Sequence, residues 1–318
     1  MNKNVKLFTV LSLAASMCFC ACSKDDEGGS SEVPNNAGEI SKDMPGLKIS
    51  SVGSNRFYYD EQGKLTSAYM NGSNIKFENG FNFSDYEGQY SLTVNGSGLV
   101  TGASVSSSDS GDGWSETGTG TASIAYNGNQ QITKVVTTSS WKGVEDGERY
   151  SVTEKSETTV TYDSKGRILK VVNTWSEVDD HKDSGSETYT FEYGDYSYDN
   201  KYGQYTPKLV DRVFDMGSVE ALCYAGLFGK STMTLPTKIM YEEEEYCEED
   251  GDTETYSGNI SCGPYTFNSN GTIKSADGYS YTYTSLDTKA VFAVDEMQAK
   301  DKASSNRMSR RHSHRHSK

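Results

Sequence analysis

The sequence predicts an all-β protein: an antiparallel meander of repeated hairpins forming a curved sheet or partly open barrel, with one short helix. A turn motif recurs along the chain, apolar and polar residues alternate outside it, and a single stretch departs from that alternation.

The motif reads apolar, any, apolar, Asp or Asn, two variable residues, Gly, one more, then an aliphatic residue. Its copies are Phe57-x-Tyr59-Asp60-x-x-Gly63-x-Leu65; Leu92-x-Val94-Asn95-x-x-Gly98-x-Val100; Ile124-x-Tyr126-Asn127 leading to Ile132, with Gln130 in the glycine position; Val160-x-Tyr162-Asp163-x-x-Gly166-x-Ile168; and Tyr265-x-Phe267-Asn268-x-x-Gly271-x-Ile273. The residue before Asp/Asn advances by 35, 32, 36 and then 105 positions, the last step being three periods of 35. Apolar residues two apart share one face of a strand. Asp or Asn opens the turn by bonding its own backbone, and Gly takes the positive φ of a tight reversal. Each copy is therefore a hairpin of about four loop residues. Degenerate copies are expected near 197, where Tyr198-Asp199 survives, and near 232, where Leu235-Pro236-Thr237-Lys238-Ile239 stands.

The strands outside the turns agree. Tyr189, Phe191 and Tyr193 alternate with Thr188, Thr190 and Glu192, and Tyr279, Tyr281 and Tyr283 with Ser280 and Thr282. One face is aromatic and the other hydroxylated or charged. The exception is residues 213–230, where Val219 to Phe228 reads as a short helix with Ser218 as N-cap and Gly229 as its stop. Its expected role is to close the core.

The ends of the 318-residue chain differ from the body. Lys3 and Lys6 precede the apolar run Leu7 to Ala15, the pattern of a secretory signal, too short to span a bilayer. Residues 1–21 are read as that signal, 22–43 as a flexible acidic tether, 44–286 as the β domain and 287–318 as a basic, disordered tail. The formal charge of −15 hides a division: residues 300–318 carry seven Lys/Arg against Asp301, a net of +6, and the first 21 add +2, leaving −23 on residues 22–299. A pI near 4.8 argues against nucleic-acid binding, which needs a positive field.

Phe19-Cys20-Ala21-Cys22 resembles a bacterial lipobox, with Phe19 where that family prefers Leu; the resemblance makes Cys22 the lipidated residue. The alternative is an ordinary cleaved signal with coincidental cysteines. The following Lys24-Asp25-Asp26-Glu27 resembles the lysine-plus-acid export signal of Bacteroidetes lipoproteins, implying display on the outer face of the outer membrane; otherwise it is a solvated acidic linker. With this leader, the Tyr-[Asp/Asn]-x-x-Gly-x-[Leu/Ile] hairpins, Leu227-Phe228-Gly229-Lys230 and Leu235 to Ile239 resemble Bacteroidales lipoproteins whose domain of unknown function is described as porin-like. The resemblance spans roughly residues 44–286. It implies a curved or barrel-like antiparallel sheet and brings no catalytic residues. A lipid-embedded barrel also alternates apolar and polar residues, but the lipobox, the Ser/Thr/Gly-rich hairpin at 101–122 and the basic C-terminus argue for a soluble tethered sheet.

Little in the chain suggests catalysis. His181 lies in a charged loop and His312, His314 and His316 in the tail, so no nucleophile–histidine motif forms. Neither a cofactor nor a metal is expected. Asp109 with Asp112, and Asp250 with Asp252, offer oxygen ligands without EF-hand spacing. Glu242 to Glu245 is read as an exposed edge or loop-flanking stretch. Cys247 and Cys262 would pair as a disulfide if a hairpin turns near residue 254, leaving Cys223 a buried thiol. Trp114, Trp141 and Trp175 are candidate sugar platforms. The reading is an outer-membrane lipoprotein, anchored by its N-terminal lipid and facing outward, that binds a polysaccharide or an envelope protein without catalysis. Its competitor is a periplasm-facing carrier of lipid or lipoprotein on the sheet's concave apolar face.

Overall fold

Every complete copy of the motif is a hairpin turn in the computed structural model, which describes residues 47–285 except 71, 78–80, 85–87, 112, 146, 180–181, 195–197, 214–216 and 249–250. At Asp163 the backbone N–H donates to Arg167 O (2.9 Å), Gly166 N–H returns to Asp163 O (3.0 Å), and Oδ1 accepts from the N–H groups of Lys165 and Arg167 (2.8 and 2.9 Å). Asp60, Asn95 and Asn127 repeat this pattern. The glycine position has a positive φ throughout: 76°, 78° and 74° at Gly63, Gly98 and Gly166, and 61° at Gln130. A sixth copy centres on Asn200, whose Oδ1 accepts from Gln204 N–H at 3.0 Å with Gly203 at φ 63°. The degenerate copy is thus displaced one residue from Asp199, because an Asp fills the place of the aromatic residue.

The strands are β1 (Leu47–Val52), β2 (Asn55–Tyr59), β3 (Leu65–Met70), β4 (Ser73–Lys76), β5 (Phe81–Ser84), β6 (Gln89–Val94), β7 (Val100–Gly111), β8 (Trp114–Tyr126), β9 (Ile132–Glu145) and β10 (Glu148–Tyr162). There follow β11 (Ile168–Val178), β12 (Lys182–Glu192), β13 (Tyr198–Asp199), β14 (Thr234–Leu235), β15 (Lys238–Cys247), β16 (Asp252–Ser261), β17 (Tyr265–Phe267), β18 (Ile273–Ala276) and β19 (Tyr279–Ser285). Strands β5 to β12 pair in chain order, and β15 then β16 extend them into a ten-stranded antiparallel sheet. Its edges, β5 and β16, do not meet, so it is open. A second sheet, in the order β17-β18-β19-β1-β2-β3-β4, pairs the last strand with the first. The single meander of the sequence reading is therefore divided between two sheets.

The register slips by one residue at five motif copies, at Tyr59, Val94, Tyr126, Tyr162 and Phe267. Such a bulge leaves ladder groups unpaired, and tyrosines fill the gap. The hydroxyls of Tyr126, Tyr162 and Tyr193 donate to the carbonyls of Val100, Ile132 and Ile168 at 2.6, 2.9 and 2.8 Å. Tyr59 reaches Ile49 O (2.9 Å) and Tyr283 reaches Ile273 O (2.6 Å). Burial raises the pKa values of these phenols, those of Tyr193 and Tyr283 to about 12.

The core lies at the turn ends of both sheets and is filled by the segment between β13 and β14. Helix α1 (Pro207–Val213) starts after Thr206, whose carbonyl accepts from Leu209 and Val210, with Pro207 at the first helical position. The helix expected over Val219 to Phe228 is not α-helical: a 3-10 helix spans Gly217–Cys223 and turns follow it. Gly226 and Gly229, at φ 84° and 71°, break the chain there. The core-closing role holds, since Leu222, Leu227 and Phe228 are fully buried. Residues 227–233 then cross the turns like a strap. Val100 N–H donates to Leu227 O (2.9 Å), Lys230 N–H to Gln130 O (2.9 Å) and Met233 N–H to Gly166 O (3.1 Å). The buried Gln131 adds bonds from Nε2 to Gly166 O and Ser231 O at 2.9 and 2.7 Å.

Candidate functional site

Residues opposite one another in the ladder share a face, so the register of the ten-stranded sheet defines two surfaces. The core-side face carries Ile124, Val135, Val160, Val171, Tyr189 and Ile239 near the turns, all buried. Along the same face, away from the strap, small residues take over, with Thr137 beside Ser156, then Ser139 between Gly120 and Glu154. Beyond these come aromatic rings and carboxylates.

The rings are seated on glycines of neighbouring strands. Trp141 lies across Gly118, Trp175 across Gly185, Tyr150 across Gly143 and Tyr241 across Gly258. A Cβ at Gly185 would stand 2.7 Å from the Trp175 ring and 2.7 Å from the Glu244 carbonyl oxygen, and one at Gly118 would stand 2.9 Å from the Trp141 ring. The missing side chains let large rings cover the ladder. Tyr150 donates its hydroxyl to Glu116 Oε2 at 2.6 Å; burial and then this carboxylate push its pKa up to about 12.

All three tryptophans stand on this face, with different access. Trp114 begins β8, covers Gly111 at the hairpin tip and is 40% exposed, Trp175 is half-buried, and Trp141 is 9% exposed. Trp114 sits opposite Glu145, four residues, or about 13 Å, beyond Trp141. The stretch 101–122, expected to be an irregular hairpin, forms most of β7 and β8 in regular register.

The face is acidic. Asp109 of β7, Glu116 of β8, Glu145 of β9, Glu148 and Glu154 of β10 and Glu177 of β11 stand on it. So do Asp183 and Glu187 of β12, Glu243 and Glu245 of β15, and Asp252 and Glu254 of β16. Several face each other directly: Glu145 and Glu148, Glu154 and Glu177, Glu177 and Asp183, Glu187 and Glu243, Glu245 and Glu254. Burial, then the charges of Asp179 and Asp183, raise the Glu177 pKa. Every Lys and Arg of the ten strands, namely Lys134, Lys142, Arg149, Lys155, Lys170, Lys182 and Lys238, stands on the opposite face. There they mix with Ser, Thr and four acids, pairing Lys134 with Glu157 (2.7 Å) and Lys238 with Glu192 (3.7 Å).

The Glu242 to Glu245 run divides between the two faces of β15, which is one strand in from the edge rather than at it. The proposed disulfide does not form. Cys247 ends β15 opposite Asp252, the first residue of β16, so the hairpin reverses between these two and not near 254; Cys247 is at its tip and Cys262 past its base, and both are free thiols, as is the buried Cys223. Ten ladder positions separate the two cysteines, about 30 Å, against the roughly 7 Å that a disulfide allows. Among the described residues no group of three or more His, Cys, Asp or Glu side chains is arranged to hold a metal. Cys22, Lys24, Asp25, Asp26, Glu27, Asp112, His181, Asp250 and the tail lie outside the described residues. Alternation within each strand was visible in the sequence, but the register that gathers the tryptophans and acids on one face was not.

No family model and no curated protein matches the chain. Solved structures similar to it include two porin-like proteins. A porin-like protein from Bacteroides vulgatus is 14% identical over 75% of this chain and 98% of its own, with a TM-score of 0.43. A porin-like protein from Bacteroides uniformis is 14% identical over 63% of this chain and 93% of its own, with a TM-score of 0.24.

Proposed function

We propose that the protein is a lipid-anchored outer-membrane protein, displayed outward, that binds an extracellular polysaccharide without catalysis through the aromatic and acidic half of the core-side face. The observation that carries this is the coincidence of Trp114, Trp175, Tyr150 and Tyr241 with carboxylates on a surface without Lys or Arg. Exposed rings stack on the apolar faces of sugars, and carboxylates accept from their hydroxyls. The charge favours neutral or amino-bearing sugars and repels anionic ones. The apolar half of the face is covered by the segment between β13 and β14, which favours a ligand on the polar half over an acyl chain in the apolar one. The opposite face bears Ser, Thr and Lys where a membrane barrel needs an apolar band.

The anchor and the ligand are tested separately. Metabolic labelling with an alkyne fatty acid should mark the chain and fail with Cys22→Ser. Protease treatment of intact cells should remove the domain, whereas a periplasm-facing protein would be spared. A glycan panel should yield binding to neutral or amino sugars; retention of an envelope protein instead would replace the polysaccharide.

A further inference from the structure

We propose that the chain's own C-terminal basic segment, residues 300–318, docks on the acidic half of the core-side face. Two observations point to this face rather than to the acidic body at large. Like charges opposite one another in a ladder are destabilising, yet acids oppose acids there, as at Glu245 and Glu254, while the other face pairs Glu157 and Glu192 with lysines and sets Glu242 and Glu244 opposite Ser and Thr. The buried Ser139 hydroxyl, 1% exposed and without a hydrogen-bond partner, faces the same way at the inner margin of the acidic area. The occupant follows from charge and length. The tail carries Lys300, Lys302, Arg307, Arg310, Arg311, Arg315 and Lys318 against one acid. Residues 286–299 separate it from Ser285, the end of β19, and reach about 46 Å when extended, comparable to the longest strand, the 15 residues of β10.

Single exposed ion pairs are weak, but several on one tether act at millimolar effective concentration. The docking should therefore be real at low salt and screened away at high salt. The tail would overlie the surface assigned above to the ligand. Its docking does not depend on that assignment, because the test uses no ligand.

The full mature chain carrying Cys22→Ser is digested with trypsin, and release of the tail after Arg310 and Arg311 is timed by mass spectrometry. Two variants of equal net charge are compared: Glu177→Gln with Glu245→Gln and Glu254→Gln on the core-side face, and Glu157→Gln with Glu242→Gln and Glu244→Gln on the other. At about 0.02 M salt the first should speed release about threefold or more and the second should leave it unchanged, the difference vanishing at about 0.5 M. Equal effects of the two variants, or none, would overturn the proposal. Zero-length carbodiimide crosslinking of the unsubstituted chain gives a second readout, independent of how the variants fold. Links from Lys302 or Lys318 to Glu177, Glu245 or Glu254 support docking. Links to the other face, links between chains, or none from the tail overturn it.

Discussion

Tyr162 shows how single side chains hold this sheet. Its hydroxyl supplies the Ile132 carbonyl with the partner that the one-residue slip between β8 and β9 at Tyr126 removes. Tyr162→Phe should cost about 1–3 kcal/mol, because a buried carbonyl loses its donor, and urea unfolding measures it. The same phenols set an alkaline limit. Burial raises their pKa values in the folded state, so the stability they contribute is complete below about pH 10, the unfolded value, and is lost as pH rises through the folded values, about 12 for Tyr193 and Tyr283. Unfolding midpoints should fall steeply above about pH 10, with the buried phenols ionising at 295 nm only as the sheet opens. Glu177 works in the opposite region. Its raised pKa means that its charged form opposes folding near neutrality. Glu177→Gln should stabilise at pH 7 by a few tenths of a kcal/mol, a gain absent below about pH 4. The tyrosine content was legible in the sequence as core area. The hydroxyl bonds were not, because they depend on the register slip at each bulge, which alternation along one strand does not reveal.

The repeated turn was fully legible, since Asp/Asn and Gly at fixed spacing leave little choice of backbone. Gln130 is its weak copy: a side chain held at φ 61° where the other copies have Gly. Gln130→Gly should stabilise by about 0.5–1 kcal/mol, the relief of left-handed strain exceeding the added flexibility of the unfolded chain. Gly166→Ala, at φ 74° and with Met233 Cγ only 2.9 Å from the added Cβ, should destabilise by about 1–2 kcal/mol. Thermal melts of the two variants should move in opposite directions. The strap and the helix were less legible. Local composition marked residues 213–230 as different, but its glycines, and the hydrogen bonds that residues 227–233 make to the turns at Val100, Gln130, Gly166 and Gly203, favour a 3-10 helix and turns over an α-helix, while α1 formed earlier at Thr206-Pro207. The hairpin β15–β16 defeated the cysteine pairing because the turn is fixed by Gly251, whose N–H bonds Cys247 O at 2.9 Å, three residues before the turn that the pairing required.

At the scale of the molecule, the ten-stranded sheet divides its charge between faces. Its core-side face runs from a buried apolar end, through glycines and serines, to tryptophans, tyrosines and carboxylates, while every strand lysine and arginine lies on the other side. The net charge of the sequence hides this, because the bases of the opposite face and of the tail offset acids that the fold collects in one place. The most direct measurement of what that face does is a titration of the mature chain, followed by tryptophan emission, with oligosaccharides that are neutral, amino-bearing or anionic. A saturable change is expected with neutral or amino-bearing sugars, weakened at least about tenfold by Trp175→Ala, a loss of about 1.4 kcal/mol, and unaltered by Tyr246→Ala on the opposite face. Binding that survives Trp175→Ala, or that selects anionic sugars, would contradict it.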